Sequence, residues 1–367
     1  MATLERLHYM DHLRALAMLA GVLFHAALAY SPIMQPFFPT ADRHNSALVD
    51  ALVWLPHLVR MPLFFAVAGF FAAAMIARRG MGGLLRQRLL RVALPFLIAW
   101  PLLHLALSEA TIWAALHIAQ PSPMLLMVRE WLAQPDPPQL PPGTGHLWFL
   151  YYLLLFSVLH WVTRTLDFGR RAERVLAWPP ARTLALAPLL LVPALASVSA
   201  PHPAPEGLLP QFWAVAFYGA FFAGGALLQG QPDWLERARP LLPWLLGASV
   251  LCYALFLWRL DGAAWQFAGW TLAALEACIS VWLTVACLMA GRAWLDRPNP
   301  TLRYLSASAY WTYLLHLPVL FLIQYLLLDV DLHWGLKFLA ASGLTLVLCL
   351  LSYQLLVRAT PLRRFVG

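Results

Sequence analysis

A chain of 367 residues that is 61% hydrophobic, 11% charged and of mean hydropathy +0.68 is too apolar to be a water-soluble domain of that size. Its net charge of +8 does not point to nucleic acid, because the basic residues sit in short blocks between apolar runs, the pattern of the positive-inside rule. The sequence predicts an all-α, polytopic membrane helix bundle, and the run lengths exclude a β-barrel, whose strands would alternate over about ten residues.

Runs able to span a bilayer, at about twenty residues each, lie near 12–31, 48–76, 93–117, 146–163, 183–199, 211–229, 240–259, 263–291, 306–327 and 337–357. That makes about ten transmembrane helices, with 183–199 the weakest signal. With the N-terminus cytoplasmic, the inside segments hold Arg6 and Arg14, then Arg78, Arg79, Arg86, Arg88 and Arg91, then Arg164, Arg170, Arg171, Arg174 and Arg182. Arg237, Arg239, Arg292, Arg297, Arg303, Arg358, Arg363 and Arg364 follow on the same side. Of the 25 basic residues only Arg43, Arg60, Arg129, Arg259 and Lys337 fall outside, so both termini are expected in the cytoplasm, with the chain in a bacterial inner membrane. No soluble stretch could hold its own core, and residues 1–367 are expected to form a single membrane domain. The first apolar run is too long, and the residues before Asp11 too polar, for a standard cleaved signal peptide. Cys252, Cys278, Cys287 and Cys349 lie in apolar runs without metal-ligand spacing and read as small buried hydrophobes.

In the first run, Arg14 and His25 are eleven residues apart. At about 100° and 1.5 Å per residue they return to one helix face, about 16 Å apart along the axis. Met18 and Gly21 lie on the same stripe, and the glycine leaves room for a ligand or a neighbouring helix. Polar groups at membrane depth are costly and therefore candidates for function. His25 could take a proton from a hydroxyl or pass one along a relay, or simply pack against a carbonyl. In the second run His57 and Arg60 are one turn apart, and Arg60 calls for an acidic or anionic partner.

Arg86, Arg88 and Arg91 precede Pro95 and the third run. Arg88 and Arg91 share a helix face suited to a phosphate or carboxylate ligand, although topology and anionic lipid also favour basic residues there. Residues 118–145 are proline-rich and read as an extended, semi-rigid loop, and 200–207 has the same character. Both could shape the mouth of a cavity or serve as connectors. His146 opens the fourth run, followed by Trp148, Tyr151 and Tyr152, whose rings suit an interfacial belt or a sugar. Glu276, the deepest carboxylate, is expensive unless paired or protonated, and Arg60, Arg14 and His25 are its natural partners. Tyr310, Tyr313 and His316 form a stripe facing a bundle interior. Glu109 and Asp261 lie near outside ends, where solvation explains them. No internal repeat or inverted symmetry is evident, which disfavours common transporter architectures.

Taken in order, Leu-Xaa-Xaa-Met-Asp-Xaa-Leu-Arg ending at Arg14, then His25, Arg-Leu-Leu-Arg from Arg88 to Arg91, His-Leu-Trp-Phe-Leu from His146 and Tyr-Leu-Leu-His-Leu-Pro from Tyr313 resemble the acyltransferase 3 family of membrane O-acyltransferases. The resemblance spans nearly the whole chain and is strongest to members associated with succinylation of periplasmic glucans. It implies an acyl-CoA donor, succinyl-CoA in that case, as a co-substrate reaching the protein from the cytoplasm, with no tightly bound cofactor and no metal. The acceptor would be a periplasmic glucan. It also implies that His25 is the catalytic histidine, with Arg14, Arg88 and Arg91 toward the donor; from the residues themselves, Arg14 and Glu276 are further catalytic candidates and Arg86 a further donor-binding one. His57, Arg60, His146, Trp148, Tyr310, Tyr313 and His316 would face the acyl group and acceptor. A dicarboxylic acyl group needs a second cation, for which Arg60 is the candidate. Many family members append a soluble esterase-like domain, whereas this chain is expected to handle its acceptor with helices and short loops. The implied partners are acyl-CoA, glucan and the bilayer, with no nucleic acid, and a homodimer is compatible. A transporter or flippase of an anionic solute would use the same His and Arg residues and is the competing expectation.

Overall fold

The computed structural model describes residues 7–136, 143–165, 177–231, 233–260, 266–267 and 269–366. Arg6, Arg170, Arg171, Arg174 and Asp261 lie outside the described residues. The helices are α1 His8–Leu28, α2 Ala47–Arg88, α3 Leu94–His117, α4 Pro123–Leu132, α5 Trp148–Thr165, α6 Pro180–Ala196 and α7 Phe212–Gly230. They continue with the short α8 Trp234–Ala238, then α9 Leu242–Leu260, α10 Gly269–Trp294, α11 Pro300–Leu328, α12 Trp334–Ser352 and the short α13 Arg363–Val366. Starts follow local chemistry. The Ser46, Ser122 and Asn299 side chains accept from Leu48, Leu125 and Leu302 N–H, and Pro123, Pro180 and Pro300 occupy first-turn positions, where a missing N–H costs nothing.

Among the described residues, eight helical runs are long and apolar enough to cross a membrane, as a multi-pass membrane protein requires. The expectation of about ten differs at two places. The runs at 48–76 and 93–117 fall in one continuous helical stretch, Ala47–His117, of 71 residues. At 1.5 Å per residue that would be about 107 Å if straight, more than three times the bilayer core. It is interrupted at Gly80, whose φ of 67° breaks the helix, and by a π-helical turn at Leu89–Ala93. The run at 183–199 becomes α6, which at 17 residues is shorter than the others.

Helix α1 packs against α2, α10, α11 and α12, so its polar stripe is enclosed by other helices. Helices α2 and α7 approach most closely. A Cβ on Gly69 would lie 1.9 Å from the Phe222 carbonyl oxygen, and one on Gly225 would lie 1.8 Å from that of Ala66. Only glycine permits backbones this near. Outward positions such as Leu97, Ile98 and Leu102 on α3, and Val250, Leu251 and Trp258 on α9, remain exposed and apolar, as a hydrocarbon solvent allows.

The segment 118–145, expected to be an extended loop, instead contains α4, with Arg129 donating to the Ala115 and Ile118 carbonyls at 2.6 and 3.0 Å. The connector after α6 turns inward. Ser199–Ala200 pairs antiparallel with Gln266–Phe267, Gly207 bridges to Gly143, and His202 between them is fully buried.

Candidate active site

The stripe Arg14, Met18, Gly21 and His25 on α1 lines one cavity of about 1130 Å³, slightly above the roughly 300–1,000 Å³ of ordinary ligand pockets. Helical spacing and the packing of α2 and α11 over this face place the four side chains along its length.

One end is cationic. Arg14 Nη2 donates to Ser306 Oγ at 2.7 Å and to the Ser306 carbonyl at 3.1 Å, with Asp11 3.4 Å away. Arg88, just before the π-helical turn, and Arg91, within it, both line the cavity, as does Arg78. Arg88 Nε donates to Ser157 Oγ at 3.0 Å, which aims the rest of its guanidinium, and the Tyr310 phenol lies within its electrostatic reach. Tyr310, expected among the residues facing the acyl group and acceptor, lies near this arginine. Arg86 is exposed and does not line the cavity.

Toward the other end lies a group of imidazoles. The His25 ring is 5.3 Å from His316, which is 5.7 Å from His146. Arg60 and His57 are also within electrostatic reach of His25. Carbonyl oxygens can only accept, so they set the tautomers. His316 Nδ1–H donates to the Tyr313 carbonyl at 2.7 Å, leaving Nε2 as the acceptor. His57 Nε2–H donates to the His202 carbonyl at 2.8 Å, leaving Nδ1. Tyr313 in turn donates to the His146 carbonyl at 2.5 Å. Trp148 lines the cavity and is buried.

Arg60 lies between these groups. Its guanidinium stacks 4.5 Å from the Phe24 ring centroid, and Nη1 donates to the Gly21 carbonyl at 3.4 Å. The space expected beside Gly21 is therefore filled by Arg60, since a Cβ there would meet Arg60 Nη1 at 3.4 Å. Its buried Nε has no partner, and among the described residues no carboxylate lies within ion-pair distance of Arg60. A desolvated cation of this kind, opening on a cavity, is suited to an anionic ligand.

Glu276 does not line the cavity. Instead of Arg60, Arg14 or His25, it holds the inward-turned connector. Glu276 Oε1 accepts from the His202 backbone N–H at 3.1 Å, and His202 Nδ1 is 3.6 Å away. Burial pushes the His202 imidazole down to about 3, keeping it neutral. Nothing in the sequence singles out His202, Glu206, Ser306 or Tyr218, although a histidine and an acid set among prolines are visible in 200–207. Pro203, Ala204 and Glu206 line the cavity, which makes the connector part of its wall.

The family model described as Acyl_transf_3, acyltransferase domain, matches residues 7–354. The chain is similar to the glucans biosynthesis protein C of Salmonella typhi and that of Salmonella typhimurium, each 26% identical over 377 residues, covering 98% of this chain and 94% of the relative. The protein of the same name from Salmonella heidelberg is 26% identical over 383 residues with the same coverage. No solved structure matches. The chain thus belongs to the acyltransferase 3 family of membrane acyltransferases.

Proposed function

We propose that this protein is an acyl-CoA-dependent O-acyltransferase of the bacterial inner membrane, moving a succinyl group from cytoplasmic succinyl-CoA to hydroxyls of a periplasmic glucan. The observation that carries this reading is one cavity with Arg14, Arg88 and Arg91 along one end and His25, His57, His146 and His316 around the other. The name of the relatives, glucans biosynthesis protein C, supports the choice of acceptor. Ten crossings follow if Ala47–His117 crosses twice and α6 crosses once, with both termini cytoplasmic. The arginine end then meets the anionic donor, and His25 lies past the midplane toward the periplasm.

In this reading Arg88, Arg91 and Arg14 hold the CoA phosphates electrostatically, with guanidinium forks supplying paired donors. Arg60 binds the distal carboxylate of the succinyl group, which fixes the thioester near His25. His25 accepts the proton of the glucan hydroxyl as its oxygen attacks the thioester carbonyl carbon. The carbon–sulfur bond breaks, an ester forms, and the CoA thiolate takes the proton back from the imidazolium. His316 and His57, with tautomers set by backbone carbonyls, offer lone pairs to acceptor hydroxyls.

The test is transfer of label from acyl-carbon-labelled succinyl-CoA and acetyl-CoA to periplasmic glucan by purified protein, with His25→Ala beside it. Labelling from succinyl-CoA, lost in His25→Ala, is expected. Labelling from neither donor by folded protein would overturn the reading.

A further inference from the structure

Near the imidazole end the cavity wall includes a carboxylate that neither the packing nor the transfer step uses. Glu206 lies on the inward-turned connector, whose main chain is held at several points. The Glu206 carbonyl accepts from Thr144 N–H at 2.6 Å and from Thr144 Oγ1 at 3.0 Å. Tyr151 donates to the Leu208 carbonyl at 2.9 Å, Tyr152 accepts from Gln211 N–H at 2.9 Å, and Glu276 holds His202 from behind. With the backbone fixed in this way, the Glu206 side chain opens on the cavity.

Its place in the site follows from short links. Thr144, bonded to Glu206, is two residues before His146, whose ring is 5.7 Å from His316, itself 5.3 Å from His25. The Tyr313 phenol is within electrostatic reach of both Glu206 and Arg60. Among the described residues the Glu206 carboxylate has no ion pair and no hydrogen bond, and Glu206 is exposed where it lines the cavity. A carboxylate that no protein group engages is open to donors brought by a ligand. A carboxylate only accepts hydrogen bonds, with room for about four. A second anion is a poor ligand for it, whereas a neutral polyol, rich in O–H donors, fits.

We propose that Glu206 is an acceptor-recognition residue, binding sugar hydroxyls of the incoming glucan next to the His25 and His316 imidazoles. This deepens the acyl-transfer reading and rests on it for the identity of the acceptor. It also divides the cavity by charge: Arg60 and the arginine end hold the anionic donor, and Glu206 repels a carboxylate, keeping the succinyl group away from the acceptor subsite.

The test is direct equilibrium binding of radiolabelled neutral glucan and, separately, of succinyl-CoA to purified wild-type, Glu206→Gln and Glu206→Leu proteins, with thermal midpoints as the folding check. Binding needs no turnover, so a wild type that binds glucan but transfers nothing would defeat the transferase reading and leave this one standing. The expected result is glucan affinity lowered at least tenfold in Glu206→Leu and less in Glu206→Gln, which keeps an acceptor oxygen, with succinyl-CoA affinity within about twofold of wild type. Unchanged glucan affinity in Glu206→Leu would overturn the proposal. So would parallel loss of both ligands, or no glucan binding by the wild type.

Discussion

Arg60 Nη1 reaches the Gly21 carbonyl at 3.4 Å, one turn before His25 on α1, and the rest of its guanidinium faces the cavity. A buried cation without a carboxylate partner is costly to leave empty, and this cost favours a donor that brings its own anion. Arg60→Ala is expected to lower kcat/KM for succinyl-CoA by about 100-fold, the loss of a charge-assisted hydrogen bond of about 3 kcal/mol. The constant for acetyl-CoA should change by less than about fivefold. Steady-state kinetics with the two donors check this, and an equal loss for both would remove Arg60 from donor selection.

Glu276 separates positioning from proton transfer. Its one hydrogen bond to the His202 N–H needs only an acceptor oxygen, which glutamine keeps and leucine does not. Glu276→Gln should retain activity within about threefold. Glu276→Leu should lose at least tenfold, the equivalent of about 1.4 kcal/mol, because the His202 carbonyl that orients His57 is released. If glutamine proves as damaging as leucine in the labelled-glucan assay, the carboxylate itself takes part in the chemistry.

The α2–α7 crossing depends on Gly69 and Gly225, where an added Cβ would lie 1.9 and 1.8 Å from a carbonyl oxygen. Backbone cannot yield as a flexible side chain can. Gly69→Ala or Gly225→Ala should each destabilise by about 3 kcal/mol or more, read as a lowered midpoint of thermal aggregation in detergent. Gly224→Ala, with nothing within 4 Å of its added Cβ, should not.

Lys337 Nζ lies 2.5 Å from Asp42 Oδ2, both fully or nearly fully buried, tying the segment after α1 to α12. Lys337→Met leaves a buried carboxylate without its cation and should cost about 3–5 kcal/mol. The double variant Lys337→Met/Asp42→Leu should recover most of that loss, measured by the same thermal midpoint.

Periodicity made much of this site legible. Arg14, Met18, Gly21 and His25 share a face in any helix, and Arg88 with Arg91 shares another, so their arrival in one cavity follows from local geometry. What could not be read was tertiary. Glu276 meets a partner 74 residues away rather than any of the cations expected for it. Proline-rich 200–207 looks like a connector because composition does not report that a loop folds inward, so His202 and Glu206 were passed over. Helix α4 did announce itself, with Ser122 capping and Pro123 at its start, but the prolines downstream made the whole segment read as extended. Arg86 projects outside because two residues of α-helix turn by about 200°, which sets it nearly opposite Arg88 before the π-helical turn begins, a phase that the basic composition of the segment hides.

The most direct test uses liposomes carrying the protein in one orientation, with labelled succinyl-CoA only at the cytoplasmic face and glucan only on the opposite side. The account predicts succinylated glucan in the glucan compartment, reduced at least 100-fold in folded His25→Ala. Intact succinyl-CoA in that compartment without labelled glucan, or undiminished transfer by His25→Ala, would contradict it.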